Sequence, residues 1–393
     1  MLQSHNIICF SNDWNQDPLS KHHIISRLAK YNRILWINSI GMRTPTISGK
    51  DIAKIGTKLN SFLKGLQKAQ DNLYLMSPLA IPFHGSEFSG KMNRALLLAQ
   101  VSYFQKKLGF ENPILWSFLP NVESLFGCFG EKLSLYYITD DFTQFSGHPA
   151  NAIDRMESSL IDKCDVVIAS AKRLAEKKSR NGKHIKMVGH GVDQKHFVRA
   201  LSLSSRDRPA DIKDIKHPVI GFYGEINHWL DLEMVAEAAR MRPGWSFVLL
   251  GRIAVEVGDI RFLTDLPNVH WLGQKRFEDL PAYCAAFEVA LIPMKMNELT
   301  LNVNPLKLRE YLAAGVPVVS APLPEALAYQ DVVKFATTAP ELIKAAEQWL
   351  KRNRKELAPI LSQRVANESW DAKVEEISGI IDEALSRTNG GRV

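Results

Sequence analysis

A short stretch that begins at Asn304 has the residue types and spacing needed to bind a nucleotide. It reads NPLKLREYLAAG, so Asn304 is suited to cap a helix with Pro305 at its first position and Gly315 at its end. The free N–H groups of the first turn form an anion site. Lys307 and Glu310 are three residues apart and therefore share one face. The pattern predicts a cation for a phosphate group beside a carboxylate that accepts two ribose hydroxyls.

The segments that must position this helix alternate between short apolar runs and longer helical patterns. Several runs are apolar nearly throughout, as in strands that are covered on both faces. Repeated strand–helix units of this kind predict doubly wound α/β domains. The predicted strands are residues 6–11, 33–39, 72–77, 113–118, 134–140, 165–170, 218–225, 246–251, 269–273, 289–294, 317–320 and 332–336. A long helical segment is predicted around 356–386.

Length and composition indicate a two-domain globular protein. The chain has 393 residues, of which 46% are hydrophobic and 23% charged, which excludes a disordered or fibrous class. Its four cysteines are widely spaced, which excludes a disulfide scaffold and the usual kind of zinc site. Residues 200–217 are polar and form a predicted linker. We expect domains at 1–199 and 218–368 that face a central cleft, and a terminal helix at 369–393.

The charge is concentrated in the first half of the chain. Residues 1–197 hold 25 Lys+Arg and 16 Asp+Glu, a balance of +9, whereas residues 198–393 hold 24 and 26, a balance of −2. Residues 43–70 contain six basic residues and one acid, with apolar residues at helical spacing. This pattern predicts an amphipathic helix on an anionic membrane surface. The alternative is a helix that packs its apolar stripe onto the sheet. Nucleic acid is not an expected partner, because no recognition motif is present.

The stretch at 304–315, followed by Pro317-Val318-Val319, resembles the donor-binding motif of GT-B glycosyltransferases. Further similarities are the run VGHGVD at 188–193, the stretch 273–293 and a terminal helix that contains Trp370. The resemblance implies two Rossmann-like domains, with a C-terminal helix that crosses back to the first domain. It also implies a nucleotide-sugar donor, which is a substrate because the reaction consumes it, and it implies no cofactor and no metal ion.

The resemblance assigns roles to individual positions on the donor side. Glu310 matches the glutamate that binds the nucleotide ribose, and Lys307 matches a basic residue that binds the diphosphate. The further donor-binding positions that it implies are Gly224, Arg252, Gln274, Lys275, Asn304 and Leu306. His190 lies near the predicted hinge, where a lone histidine is more often a packed residue than a catalyst.

Two departures shift the comparison toward the inverting members. Asn302 stands where many retaining members have a second glutamate, and the run GFYGEINHW at 221–229 lacks their Arg/Lys pair. The chain is closer to teichuronic-acid-type enzymes and to the inverting glucuronosyltransferase of xanthan assembly. The latter comparison implies Asp140 as the base, with Asp13 in reserve. Strand alternation would turn Asp141 away from the site, and both acids can alternatively cap the next helix or turn.

The expected function is therefore a metal-independent hexosyltransferase of cell-surface glycan synthesis. It would move a sugar from a UDP-sugar to a lipid-linked or polysaccharide acceptor, in the cytoplasm and peripherally on the inner face of the membrane. The first thirty residues lack a signal-peptide pattern, and no apolar stretch approaches the ~18 residues of a membrane span. Two other functions remain open, a sugar-nucleotide epimerase of the same fold and a non-catalytic GT-B subunit.

Overall fold

The computed structural model describes residues 1–15, 18–39, 62–80, 87–145, 149–180 and 182–390. It divides into two compact units, each built around one sheet. The first unit comprises Met1–Gly189 with Lys373–Val393, and the second comprises His190–Ala372. The predicted α/β class with two Rossmann-like doubly wound domains is confirmed. Residues 200–217 lie within the second unit, where Ile212 is buried.

The first unit contains an eight-stranded sheet with the order β3-β4-β2-β1-β5-β6-β7-β8. All neighbouring strands pair in parallel except β3 and β4, which are antiparallel. The central strands are buried on both faces because their sequences are apolar nearly throughout. The strands are β1 Asn6–Phe10, β2 Arg33–Ile37, β3 Gln67–Gln70, β4 Leu73–Met76, β5 Ile114–Ser117, β6 Leu133–Ile138, β7 Val166–Ala169 and β8 Lys186–Met187. Parallel pairing places the carboxyl ends of β1, β5 and β6 at one edge.

Among the described residues of Met1–Gly189, the structure gives the bounds of four α-helices. They are α1 Ser20–Leu28, α2 Glu87–Lys107, α3 Ala150–Lys163 and α4 Lys172–Lys178. The α1 helix follows β1 after a short loop, so its first turn lies at the carboxyl end of the sheet, as in other doubly wound folds. Its residues Ile24, Ile25 and Leu28 are fully buried.

The second unit contains a six-stranded parallel sheet with the order β11-β10-β9-β12-β13-β14. Its strands are β9 Val219–Tyr223, β10 Ser246–Leu250, β11 Val269–Trp271, β12 Val289–Ile292, β13 Val318–Ser320 and β14 Val333–Phe335. Its helices are α5 Gln194–Phe197, α6 Leu232–Met241, α7 Arg261–Thr264, α8 Leu280–Ala286, α9 Leu306–Ala313, α10 Ala339–Leu350 and α11 Arg354–Arg364. The last helix, α12 Trp370–Gly390, begins in the second unit and continues into the first, where Ser378 contacts Met1.

Two sequence predictions need correction. The helical segment predicted around 356–386 is two helices, because the chain leaves the helical conformation between Arg364 and Trp370. The amphipathic helix predicted over 43–70 does not extend to its end, since Gln67–Gln70 form an edge strand against β4. The rest of that segment, through residue 61, lies outside the described residues. Among the residues that are described, no helix is both long and apolar enough to span a membrane.

Candidate active site

The helix α9 carries the predicted nucleotide-binding residues in the second unit. It begins at Leu306, so Pro305 takes the capping position and the predicted cap by Asn304 is wrong. The side chain of Asn304 is buried and its Oδ1 accepts a hydrogen bond from Arg309 Nη1 at 2.7 Å. The Asn304 side chain therefore stabilises the start of α9 through its hydrogen bond with Arg309. The N–H groups of the first turn remain directed at the carboxyl edge of the sheet.

Glu310 is buried and oriented by a tyrosine from the neighbouring strand. Its Oε2 accepts a hydrogen bond from Tyr223 Oη at 2.6 Å, and the Tyr223 N–H donates to Tyr311 Oη at 2.9 Å. Burial raises the pKa of the Glu310 carboxyl, whereas Tyr223 and Lys307 act in the opposite direction. The second carboxylate oxygen, Oε1, makes no hydrogen bond to the described residues. Glu310 therefore presents one oxygen to a ligand and uses the other for its own positioning.

Lys307 lies directly over a glycine at the end of β9. A Cβ atom at Gly224 would collide with the Lys307 side chain, and the φ angle of Gly224, 137°, favours glycine. At the end of β10, Gly251 has a φ of 143°, and a Cβ there would collide with the Gly224 carbonyl oxygen. Burial lowers the pKa of Lys307, while Glu310 and Glu225 raise it. The absence of a side chain at Gly224 thus leaves room for the Lys307 side chain, and its absence at Gly251 leaves room for the Gly224 carbonyl.

The other residues predicted to bind the donor, Arg252, Gln274 and Lys275, lie in the loops after β10 and β11. Arg252 is exposed and pairs with Glu225 at 2.5 Å. Gln274 is exposed at the end of β11, next to Lys275. The Lys275 ammonium pairs with Asp211 at 2.6 Å, so its side chain is already held.

Asp140 lies at the carboxyl edge of the first sheet. The strand β6 ends at Ile138, two residues earlier, so strand alternation does not extend to the two acids. The Asp140 side chain is half-buried. Burial raises the pKa of its carboxyl, and the Lys21 ammonium in α1 opposes this effect. Asp140 is therefore accessible from the edge of the sheet and has a cation near it.

Asp141 has different partners from Asp140. It is buried and pairs with Lys177 at 2.8 Å and Lys178 at 3.0 Å, and it accepts a hydrogen bond from Thr143 at 2.7 Å. Burial alone would raise the pKa of Asp141, but these contacts lower it to about 2. Asp141 therefore anchors the loop that carries Asp140.

Two other positions from the sequence analysis lie elsewhere. Asp13 is half-buried in the loop after β1, between Asn12 and Trp14. His190 is buried in the second unit, with its ring centroid 6.1 Å from that of Trp370. This packing agrees with the interpretation that His190 is a packed residue and not a catalyst.

Two residues of these edges were missed by the sequence analysis. Tyr223 positions Glu310 through a hydrogen bond from its hydroxyl. The sequence pattern of β9 does not indicate this contact, because Glu310 lies 87 positions later in the chain. Lys21 had a detectable signal, because it falls at helical spacing with Ile24, Ile25 and Leu28. A lysine in an apolar stripe is buried with the stripe, and the structure shows it 3% exposed. Within the described residues, no group of three or more His, Cys, Asp or Glu side chains is arranged to hold a metal ion.

Comparisons with known proteins agree with this architecture. Residues 217–352 match the family described as Glycosyl transferases group 1. The chain is 24% identical, over 95% of its length and 96% of the relative, to TuaH of Bacillus subtilis, which is named as a teichuronic acid biosynthesis glycosyltransferase.

Solved structures show the same fold along nearly the whole chain. Sucrose-phosphate synthase from Thermosynechococcus elongatus has a TM-score of 0.71 at 14% identity, covering 98% of this chain and 100% of that one. Anabaena HepE in complex with UDP-glucose has a TM-score of 0.68 at 13% identity, covering 97% and 100%. The UDP-forming α,α-trehalose-phosphate synthase from Burkholderia vietnamiensis has a TM-score of 0.66 at 10% identity, covering 98% and 100%. The second unit matches the family described as Glycosyl transferases group 1, and these solved structures show that the chain has the two-domain GT-B fold.

Proposed function

We propose that this chain transfers a sugar from a UDP-sugar to a hydroxyl group of a lipid-linked or polysaccharide acceptor in cell-surface glycan synthesis. The observation that carries the proposal is the arrangement of Lys307 and Glu310 on one face of α9, beside the glycine at position 224. The HepE complex with UDP-glucose supports a UDP-sugar donor. The name of the Bacillus relative supports a surface glycan as the product.

On the donor side, the second unit would bind UDP through three kinds of contact. The ribose hydroxyls would donate to Glu310, whose free oxygen is oriented by the Tyr223 hydrogen bond. The diphosphate would accept hydrogen bonds from the first-turn N–H groups of α9 and from Lys307. Helix dipole and ammonium would stabilise the charge that develops on the leaving diphosphate, so the proposed reaction uses no metal ion or other cofactor.

On the acceptor side, we propose Asp140 as the base of an inverting transfer. The carboxylate takes the proton of the acceptor hydroxyl as the oxygen forms a bond to the anomeric carbon. The bond between that carbon and the diphosphate oxygen breaks, and UDP leaves with the electron pair. Attack on the face opposite the diphosphate converts an α-linked donor into a β-linked product.

We also propose that the enzyme works at an anionic membrane surface, because a lipid-linked acceptor is held there. The basic sequence at 43–70 supports this assignment. Sedimentation with vesicles of phosphatidylglycerol at low salt should carry the protein down, and the quadruple exchange of Lys50, Lys54, Lys58 and Lys64 to Gln should abolish this while UDP affinity stays unchanged. If the wild-type protein does not sediment with these vesicles, the membrane assignment is wrong, whereas the proposed sugar transfer is unaffected.

The test of the function is product analysis with UDP-glucose, UDP-galactose and UDP-glucuronate. Each donor is incubated with and without short-chain polyprenyl-diphosphate-linked sugars, and products are identified by mass spectrometry and by the coupling constant of the new anomeric proton. We expect a β-linked product that forms only with acceptor, and far less of it with Asp140→Asn. Donor epimerisation without acceptor would indicate the epimerase instead. Absence of any product or UDP binding would indicate a non-catalytic subunit.

A matched pair of ligands tests the donor site directly. Lys307→Ala should weaken UDP binding much more than uridine binding, because only UDP has the diphosphate. Calorimetry with both ligands measures the difference. Equal losses for the two ligands would show that Lys307 does not contact phosphate.

A further inference from the structure

Lys21 is a buried ammonium at the carboxyl edge of the first sheet. It is the second residue of α1, and it is 3% exposed. Its Nζ donates one hydrogen bond, to Asn12 Oδ1 at 2.9 Å, in the loop after β1. An ammonium has three N–H donors, so two are left without a hydrogen-bond acceptor among the described residues. Burying a charged donor in this way is unfavourable unless something else satisfies it.

A second buried lysine in the same unit shows what complete pairing requires. The Lys178 side chain is also 3% exposed, and its Nζ lies 3.0 Å from Asp141 and 2.8 Å from Glu157. Two carboxylates therefore surround Lys178, and Glu157 also accepts a hydrogen bond from Tyr136 at 2.7 Å. Lys21 is equally buried but contacts one neutral amide oxygen. The carboxylate that attracts Lys21 electrostatically belongs to Asp140.

We infer that Lys21 is a further residue of the acceptor site, where it donates a hydrogen bond to the acceptor hydroxyl oxygen and holds the Asp140 carboxylate as an ion. This inference rests on the proposed function, because it takes Asp140 as the base. The ammonium satisfies its remaining donors with the substrate oxygen. The acceptor O–H then points to Asp140, which receives the proton as the oxygen attacks the anomeric carbon and UDP leaves. The ligand class is a sugar hydroxyl.

The ionisation of the surrounding groups makes this role measurable. Burial lowers the pKa of Lys21 to about 8, against the attraction of the Asp140 carboxylate. Burial raises the pKa of the Cys9 thiol well above its ordinary value, so Cys9 is neutral in this range. Burial and the charge of Lys21 lower the pKa of His22 to about 4, so His22 is also neutral. Near pH 8 the group at this site that changes its charge is therefore Lys21. Turnover should fall as pH rises through 8, because the ammonium is lost.

The first experiment compares pH profiles of turnover for wild type, Lys21→Arg, Lys21→Met and the control Lys178→Arg. The donor–acceptor pair is one that gives product with the wild type in the transfer assay. Lys21→Met should lower kcat at pH 7 by about 100-fold at unchanged UDP affinity. Lys21→Arg should keep part of the activity and lose the fall near pH 8, since guanidinium does not titrate there. Lys178→Arg should keep the wild-type profile.

A second measurement does not depend on activity or on the Lys21→Met variant folding. Lysine labelled with ¹³C at Cε is titrated by NMR in wild type and in Asp140→Asn, with the Lys21 signal assigned from Lys21→Arg. The Lys21 signal should titrate near pH 8 and shift to lower pH in Asp140→Asn, because the attracting charge is gone. The inference would be overturned if Lys21 titrated above pH 10, or if the pH at which it titrates were the same in Asp140→Asn as in wild type.

The two proposals fail in different ways. If wild type transfers sugar and Asp140→Asn does not, but Lys21→Arg retains the fall near pH 8, only the Lys21 inference is wrong. If wild type transfers no sugar from any donor, the proposed function is wrong, and the inferred role in the acceptor site falls with it.

Discussion

The carboxyl edges of the two sheets differ in how completely their charged groups are paired within the protein. In the second unit, Glu310 has the Tyr223 hydroxyl at 2.6 Å and Arg252 has Glu225 at 2.5 Å. In the first unit, the buried Lys21 has one neutral hydrogen-bond acceptor. Because the donor groups are already oriented, changes in the second unit should appear as changes in donor affinity. Changes at the edge of the first unit should appear in turnover.

The sharpest test of this division is Asp140→Asn. The change keeps the shape of the side chain and removes its basicity, so turnover should fall by about 10²–10⁴-fold, the usual contribution of a positioned base. UDP affinity, measured by calorimetry, should stay near that of wild type. Retained turnover, or a product with the configuration of the donor, would remove Asp140 from this role.

The corresponding change in the second unit is Glu310→Ala. A hydrogen bond to a charged group contributes about 1.5–3 kcal/mol, so the Kd of UDP should rise about 10- to 150-fold. The control ligand is 2′,3′-dideoxy-UDP, which lacks both ribose hydroxyls and should bind wild type and variant alike. An equal loss for both ligands would show that Glu310 supports the helix and does not contact the ribose.

The two edges also differ in how far the sequence predicted them. The helix with Lys307 and Glu310 could be predicted because all the residues that define it lie in one short stretch of the chain. Their three-residue spacing is enough to place both side chains on one helix face. All six strands predicted in the second unit are present. In the first unit, Asn12, Lys21 and Asp140 come together only because β1 and β6 end, and α1 begins, at the same edge. Their proximity follows from the strand order, which the sequence pattern does not encode locally.

Short elements and caps were the other failures. The strand β3 was predicted as helix because its one lysine, Lys68, continues the preceding basic pattern. The cap by Asn304 was wrong because its amide oxygen bonds to the buried Arg309, a contact that depends on where Arg309 folds. In both cases tertiary contacts outweighed a correct local preference.

Asp141→Asn separates anchoring from catalysis within the first unit. The pKa of Asp141 is lowered from 3.8 to about 2, so its charged form stabilises the folded state by roughly 2 kcal/mol. That contribution is present above the unfolded pKa of about 4 and is lost as pH falls toward 2. The variant should unfold at a lower urea concentration at pH 7 and show a flatter dependence of stability on pH below 4. Unchanged stability at pH 7 would contradict the anchoring role.

Tyr223→Phe should have a moderate effect confined to the donor. It removes the hydroxyl that holds Glu310 and leaves the ring packed against Tyr311, whose centroid is 4.7 Å away. Because this hydroxyl acts on UDP only through Glu310, we expect a loss of about 0.5–1.5 kcal/mol, which raises the Kd of UDP about 2- to 12-fold. The ratio of the Kd values for 2′-deoxy-UDP and UDP should fall, because Glu310 is less well oriented. A change in thermal stability with an unchanged ratio would make Tyr223 a packing residue only.

Arg252→Ala should have the smallest effect, and it tests the weakest donor-side prediction. The side chain is 71% exposed and already paired with Glu225, and exposed pairs contribute about 0–1 kcal/mol. If Arg252 adds only such a contact to the diphosphate, the Kd of UDP should rise by less than about fivefold. Glu225→Gln is the matched control, because it removes the competing carboxylate and should tighten UDP binding by a similar factor. A larger loss in Arg252→Ala, with no effect of Glu225→Gln, would mean that Arg252 leaves Glu225 entirely when the diphosphate binds. Binding of the ligand would then separate the Arg252–Glu225 pair. The second unit would in that case differ less from the first unit, where Lys21 is incompletely paired, than the structure indicates.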